Sequence, residues 1–346
     1  FKSQYTTMNL DSFNFSLPKS QIAQEAKSVR SDSKLLVINR KTQKLEDEKF
    51  ENIDKFILKE DLLVINDTKV IPARLYGKRK RTRGKVEIFI ERILSDNSFI
   101  CQLKSTRKLG IGDIVIINDI VELEIKKNDG VLCIIVIKNY TVKQLLHEFG
   151  NVPLPPYISR NENTLDKNYY QTIFAKEDGS VAAPTAALHF DEKVVKKLKD
   201  KGVKIANVTL HIGMGTFSTI KTKNINNHKM HSELFCVPEK TVDLIKQCKE
   251  NNGKVICIGT TVARALESFY SYKYEVNKFY ETDIFIKPGY NFKIVDSLVT
   301  NFHLPQSSLL IMIAAFYNTN KILEAYNHAI KNDYKFFSYG DSTLII

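Results

Sequence analysis

The sequence predicts an α/β protein: a main α/β domain, built on a mixed sheet or barrel, interrupted by a small inserted antiparallel β-barrel domain. Three observations predict it. Between about Val70 and Tyr140, short β-branched runs follow one another with turn signals and no helical period. After Thr141, strand-like and helix-like segments alternate. The run SSLLIMIAAFY (Ser307–Tyr317) is apolar nearly all round, the mark of a helix buried on most faces. At 346 residues the chain is also longer than one hydrophobic core usually serves. The expected domains are residues 8–69 with 141–346, and 70–140 as the insertion.

Taken in order, Leu62–Asn66 and Val86–Ile90 read as strands, with KRKRTRG (Lys78–Gly84) between them as a basic hairpin or loop. FICQL, IVII, VELEI and VLCIIVI follow, punctuated by Gly110, Gly112, Asn118-Asp119 and Asn128-Asp129-Gly130. TVKQLLHEFG (Thr141–Gly150) is a helix with an N-cap threonine and a terminal glycine. VKIANVTLHI and HSELFCV are strands, and KTVDLIKQCKENNG is a helix ending at Gly253. VICIGT is a strand feeding the helix TVARALESFY, and the closing TLII is a strand of the main sheet.

Hydrophobic content of 43% and charged content of 26% are those of a globular protein. A net charge of +12 points to a polyanionic partner, nucleic acid before membrane, although a Lys-rich solubility surface gives the same number. Five scattered cysteines without a CxxC argue against a disulfide framework and for a reducing cytoplasm. No apolar run approaches the ~18 residues of a membrane span. Met8 reads as the natural start, with residues 1–7 a leader or cloning remnant.

The chemistry concentrates in a few segments. GSVAAPTAALHF (Gly179–Phe190) mixes small residues, hydroxyls and a histidine without a period, as suits a loop whose backbone approaches a ligand. In Val203–Ile212, Asn207, Thr209 and His211 share one strand face, which meets either water or a cavity; GMGTF follows and favours the cavity. Thr260 and Thr261 open a helix, a natural anion site. Arg264 either clamps a carboxylate or forms a surface ion pair with Glu267. His228, His231 and Glu233 match no standard zinc spacing, so acid–base or hydrogen-bonding roles fit better than a metal site. Asn301 and His303 precede the buried helix, and KPGY (Lys287–Tyr290) signals a type II turn.

Together these segments resemble the S-adenosylmethionine:tRNA ribosyltransferase-isomerase family of queuosine biosynthesis. The resemblance runs from Phe15 to the C-terminus. It includes NDTKVIPARLYG, PLPPYI, YYQTIFA, GSVAAPTAALHF, TLHIGMGTF, HKMHSE, GTTVARALES, TDIFIKPGY, TNFHLPQSSLL and FFSYGD. Ser31 and Lys34 stand where the family usually shows an Arg-Asp pair and a second Arg, and Ala187 stands where glycine is common. The resemblance implies an α/β domain with an inserted barrel. It also implies transfer of the ribosyl part of S-adenosylmethionine, rearranged to an epoxycyclopentanediol, onto 7-aminomethyl-7-deazaguanine at the tRNA wobble position. Adenine and methionine leave. The donor is consumed, and no metal or separate cofactor is implied. The partners expected are S-adenosylmethionine and a tRNA anticodon loop, with no membrane and a monomeric enzyme.

That reaction needs a base near the carbon next to the sulfonium, a proton donor near the departing adenine, and a neutral amine. His211, His231 and Glu233 are expected nearest the chemistry. Arg264, with the Thr260-Thr261 backbone, would hold the methionine carboxylate. Pro184, Thr185, His189, Gly213, Gly215 and Thr216 would form the adenosine and base pocket, with His228 also binding substrate. Asn301, His303 and Asp341 would orient substrate or catalytic groups. Lys78, Arg79, Lys80, Arg81 and Arg83 are candidates for tRNA phosphates, or else a solvated basic loop.

Overall fold

The computed structural model describes residues 8–160, 162–217 and 219–346. The expected leader, residues 1–7, lies outside the described residues. In chain order, β1 (Lys34–Ile38), β2 (Leu45–Lys49), β3 (Leu62–Asn66) and β4 (Thr68–Val70) come first. Six barrel strands follow: β5 (Arg74–Arg79), β6 (Lys85–Ser95), β7 (Ser98–Ser105), β8 (Ile114–Ile117), β9 (Val121–Asn128) and β10 (Cys133–Ile137). Then come α1 (Val142–Phe149), α2 (Asp166–Tyr169), β11 (Glu177–Ser180), α3 (Glu192–Asp200), β12 (Lys204–His211) and β13 (Glu233–Cys236). The chain continues through α4 (Glu239–Glu250), β14 (Val255–Ile258), α5 (Thr260–Tyr272), β15 (Phe279–Thr282) and β16 (Ser297–Asn301). It finishes with α6 (Ser308–Phe316), α7 (Thr319–Lys331) and β17 (Ser342–Ile345).

The main domain is an open mixed sheet of nine strands, in the order β15-β13-β12-β3-β14-β16-β17-β1-β2. Its centre, β12-β3-β14-β16, is all parallel. Strands in such a position are covered on both faces, and all five residues of β3 are buried. Alternation along the strands feeds two separate cores. Leu36, Leu62, Val64 and Cys257 pack on the side of α4–α7. Leu35, Leu63, Ile65 and Ile256 pack on the side of α3 and Phe50.

The inserted barrel closes in the order β10-β7-β6-β5-β8-β9. Its inward positions Val121, Leu123 and Ile125 alternate with outward Glu122 and Glu124. Local signals set the boundaries of the helices. Thr141 and Gln144 form a capping box at the start of α1, and Ser307 and Asn318 cap α6 and α7. KPGY makes the expected turn, with Gly289 at φ +94° and the Tyr290 amide donating to Lys287 O at 3.0 Å. No helix among the described residues is long and apolar enough to cross a membrane.

Because β12, β3, β14 and β16 run parallel, their carboxyl ends share one edge of the sheet. Ligands in open α/β sheets bind outside that edge. It presents Asn66–Thr68, His211–Gly213, Gly259–Thr261 and Asn301–His303.

Candidate active site

Two adjoining cavities open at this edge. The first is a cleft of about 880 Å³, counted to its open mouth. Pro184, Thr185, Thr216, Thr260, Thr261, Asn301 and His303 line it, with Tyr157, Phe302 and Ser338. The second lies between the main sheet and the barrel. His211, Gly213, Gly215, His231 and Glu233 line it, facing Glu91, Arg92 and Gln102 of the barrel. Ile212 lines both. Thr216 Oγ1, in the first, donates to Glu233 Oε1 of the second at 2.8 Å.

Gly259 carries φ +102° between β14 and α5, a backbone state L-residues rarely adopt, and so delivers the helix N-terminus to the first cavity. In that cleft His303 Nε2 meets Thr300 Oγ1 at 2.8 Å. Burial pushes His303 down to about 3. His189 does not line the cleft; it supports it from behind. Asn301 Nδ2 donates to His189 Nε2 at 3.0 Å, and Nδ1 meets Ser33 Oγ at 2.8 Å. Asn301 Nδ2 also donates to Phe337 O, so the ring accepts at Nε2 and donates from Nδ1. Burial depresses its pKa to about 4, which keeps it neutral.

These two histidines give a pH signature. Folded His189 and His303 refuse protons that the unfolded chain takes up below its ordinary histidine pKa of 6.5. Stability is full above that pKa and falls as pH drops towards 4, by about 1.4 kcal/mol per pH unit for each group. Urea titrations of His303→Gln between about pH 6 and pH 4 should show a slope shallower by one such contribution. A slope equal to the parent's would mean that folded His303 protonates normally.

In the second cavity, the polar face of β12 divides its work. Asn207 and Thr209 donate to buried Asp67, at 2.6 Å each, and burial raises that carboxyl's pKa. His211 meets Thr68 Oγ1 through Nδ1 at 2.8 Å and stacks on Phe279. Burial lowers its pKa. Gly179, at φ +146°, lies against the ring: a Cβ there would fall 2.9 Å from Cε1. Gly215 sits closer still to His231, whose ring a Cβ would overlap.

Glu233 and Arg264 form a buried ion pair, 3% and 4% exposed. Glu233 also accepts from the Gly213 amide at 3.3 Å. Among the described residues Arg264 Nη2 has no acceptor. The surface pair Arg264–Glu267 does not form. Glu267 is buried and accepts from the amides of Lys293, Ile294 and Val295 and from Tyr290 Oη. Backbone amides and a hydroxyl satisfy it where they stand, and α5 turns Arg264 towards β13.

The structure does not bring every expected residue here. His228 packs on Phe285 outside both cavities. Asp341 is buried and accepts from Lys27 Nζ and from the Lys34 and Lys335 amides, so it ties the N-terminal segment to β17. In the basic run, Arg79 lies 3.9 Å from Asp113, Lys80 pairs with Glu122, and Arg83 pairs with Asp119 at 2.6 Å. Among the described residues no three His, Cys, Asp or Glu side chains gather as metal ligands.

A family model described as queuosine biosynthesis protein matches residues 10–345. The chain belongs to that family. Its relatives within the queuosine biosynthesis family include the S-adenosylmethionine:tRNA ribosyltransferase-isomerase of a Sulfurihydrogenibium species, 45% identical over 98% of this chain and 100% of that one. The protein of the same name from Vesicomyosocius okutanii is 47% identical over 98% of each chain. Among solved structures, S-adenosylmethionine tRNA ribosyltransferase from Thermotoga maritima superposes with a TM-score of 0.55 and 32% identity, covering 97% of this chain and 100% of that one.

Residues at or behind the candidate site that spacing alone did not single out are Asn66, Asp67, Thr68, Glu91 and Gln102. Asn66 bonds Leu210 O and N and reaches Thr261 Oγ1, joining three strand ends. The segment NDTKV, polar residues closing an apolar strand, was the available signal.

Proposed function

We propose that the chain transfers and isomerises the ribosyl part of S-adenosylmethionine onto 7-aminomethyl-7-deazaguanine at the wobble position of tRNA, releasing adenine and methionine. The observation that carries this reading is the near full-length likeness to proteins bearing that name. The paired cavities support it, since a nucleoside donor and an attacking base need adjoining seats that share one wall. The donor's nucleoside lies in the first cavity, against Pro184, Thr185 and Asn301. Its sulfonium end reaches Thr216 and Ile212, where the cavities meet. His211 stays neutral through burial, with Nδ1 on Thr68, and Nε2 takes the proton next to the sulfonium. Arg264 Nη2 takes an anionic group of the donor. The same reading has the enzyme work in the cytoplasm, which its free cysteines favour.

The test is incubation of the purified chain with S-adenosylmethionine and tRNA carrying the aminomethyl base. Adenine and methionine should appear in equal amounts with one ribosyl-derived group on the tRNA. Transfer of a methyl group, or no adenine release, would overturn the reading.

A further inference from the structure

We infer that Glu91, on strand β6 of the inserted barrel, recognises the cationic aminomethyl group of the wobble base. The inference rests on the reaction proposed above. Glu91 belongs to the barrel, yet it lines the cavity of His211, His231 and Glu233. Its Oε2 lies 3.6 Å from where a Cβ of Gly213 would sit, so the carboxylate faces the carboxyl end of β12. Contacts of the barrel strands help to hold it there. Gln102 Nε2 donates to Glu91 Oε1 at 2.6 Å across the β6–β7 ladder. The next residue, Arg92, pairs with Glu281 of β15 at 2.8 Å, and Glu281 also accepts from Ser232 beside His231. The barrel wall is thereby fixed against the main sheet at this point.

Beyond Glu91, Arg92 and Gln102 the barrel wall turns apolar. Ile93, Ile100, Val131 and Leu132 line it, with Val131 72% exposed and Ile93 42% exposed. An apolar wall ending in a carboxylate suits a flat base that carries an amine. A base whose atoms undergo chemistry is drawn out of its strand into a pocket, and apolar side chains pack against its face. A primary alkylamine resembles lysine in basicity, so it arrives as a cation and gives up one proton to a base of the cavity before it attacks. Its nitrogen must end near His211 and Glu233, because the new bond forms at that nitrogen. Glu91 occupies that end of the wall. Guanine lacks the group and forgoes the charge-assisted hydrogen bond that the amine makes.

The experiment compares binding of two tRNAs that differ only at the wobble base, one with 7-aminomethyl-7-deazaguanine and one with guanine. The parent should prefer the first by about tenfold or more, the scale of one charge-assisted hydrogen bond. Glu91→Gln should shrink the preference to within about twofold, and Glu91→Asp should keep part of it. Gln102→Leu, which leaves the carboxylate but removes one hydrogen bond that orients it, should give an intermediate ratio. Circular dichroism confirms folding of each variant. A parent ratio retained in both Glu91→Gln and Gln102→Leu would overturn the assignment, as would a parent that turns over without preferring the aminomethyl base. A parent that releases no adenine at all overturns the reaction itself, and this assignment with it.

Discussion

Replacing Arg264 with alanine is expected to lower folding stability by about 3–5 kcal/mol and to abolish turnover. The guanidinium and the Glu233 carboxylate are both almost wholly buried, so removing one leaves the other charge unpaired out of water. Apolar replacement of both partners, Arg264→Leu with Glu233→Leu, should recover much of the lost stability, because neither charge then needs compensation. It should not recover turnover, since Glu233 also fixes Thr216 and the Gly213 amide at the junction of the cavities. Urea unfolding and adenine release measure the two effects separately. A single variant as stable as the parent would show that the pair is open to water. A double variant that works would remove both residues from the chemistry.

His211→Ala is expected to lower turnover at least about 100-fold with the fold intact, the usual loss on removing a general acid or base. Because burial depresses the ring's pKa, the neutral base persists below the ordinary histidine range. The acid limb of the rate profile should therefore fall at a pH below 6.5, the ring's ordinary value. Thr68→Val keeps the ring but frees Nδ1, and should give a smaller loss of about tenfold. Single-turnover adenine release reads all three. Near-parent turnover in His211→Ala would make the ring a packing element between Gly179 and Phe279.

Much of the fold was legible because its causes are local. The period-two pattern of VELEI is the barrel wall, the Thr141–Gln144 pair is the start of α1, and the uniform apolarity of SSLLIMIAAFY is its burial among other helices. Strand β2, LEDEK, carried no such signal. It is an edge strand with mostly solvent-facing charges, and its register comes from pairing with β1. The candidate site was partly legible for the same reason. Small residues and helix-opening threonines mark places where backbone can approach a ligand.

What no local pattern carried were the partnerships. Arg264 and Glu233 are 31 residues apart, and α5 and β13 must first be placed before they can meet. Spacing along α5 suggested Glu267 instead, which the loop at Lys293–Val295 had already taken. His189 looked like a ligand contact because its segment lines the cleft; its own ring lies outside the cleft and holds Asn301. Glu91 was hidden by belonging to a different domain from the strand ends it faces.

The strand order has a consequence for how the chain is made. The barrel's strands are contiguous from Arg74 to Ile137, so each finds its neighbours soon after synthesis. Strand β1 emerges earlier, yet its parallel partner β17 is the last element of the chain, with Lys34 bonded to Asp341 across 307 residues. Until β17 exists, β1 and β2 form a detached ribbon and β16 is an open edge. Birth order and assembly order are thus inverted: the insertion is finished while the sheet that surrounds it in sequence still waits for its closing strand.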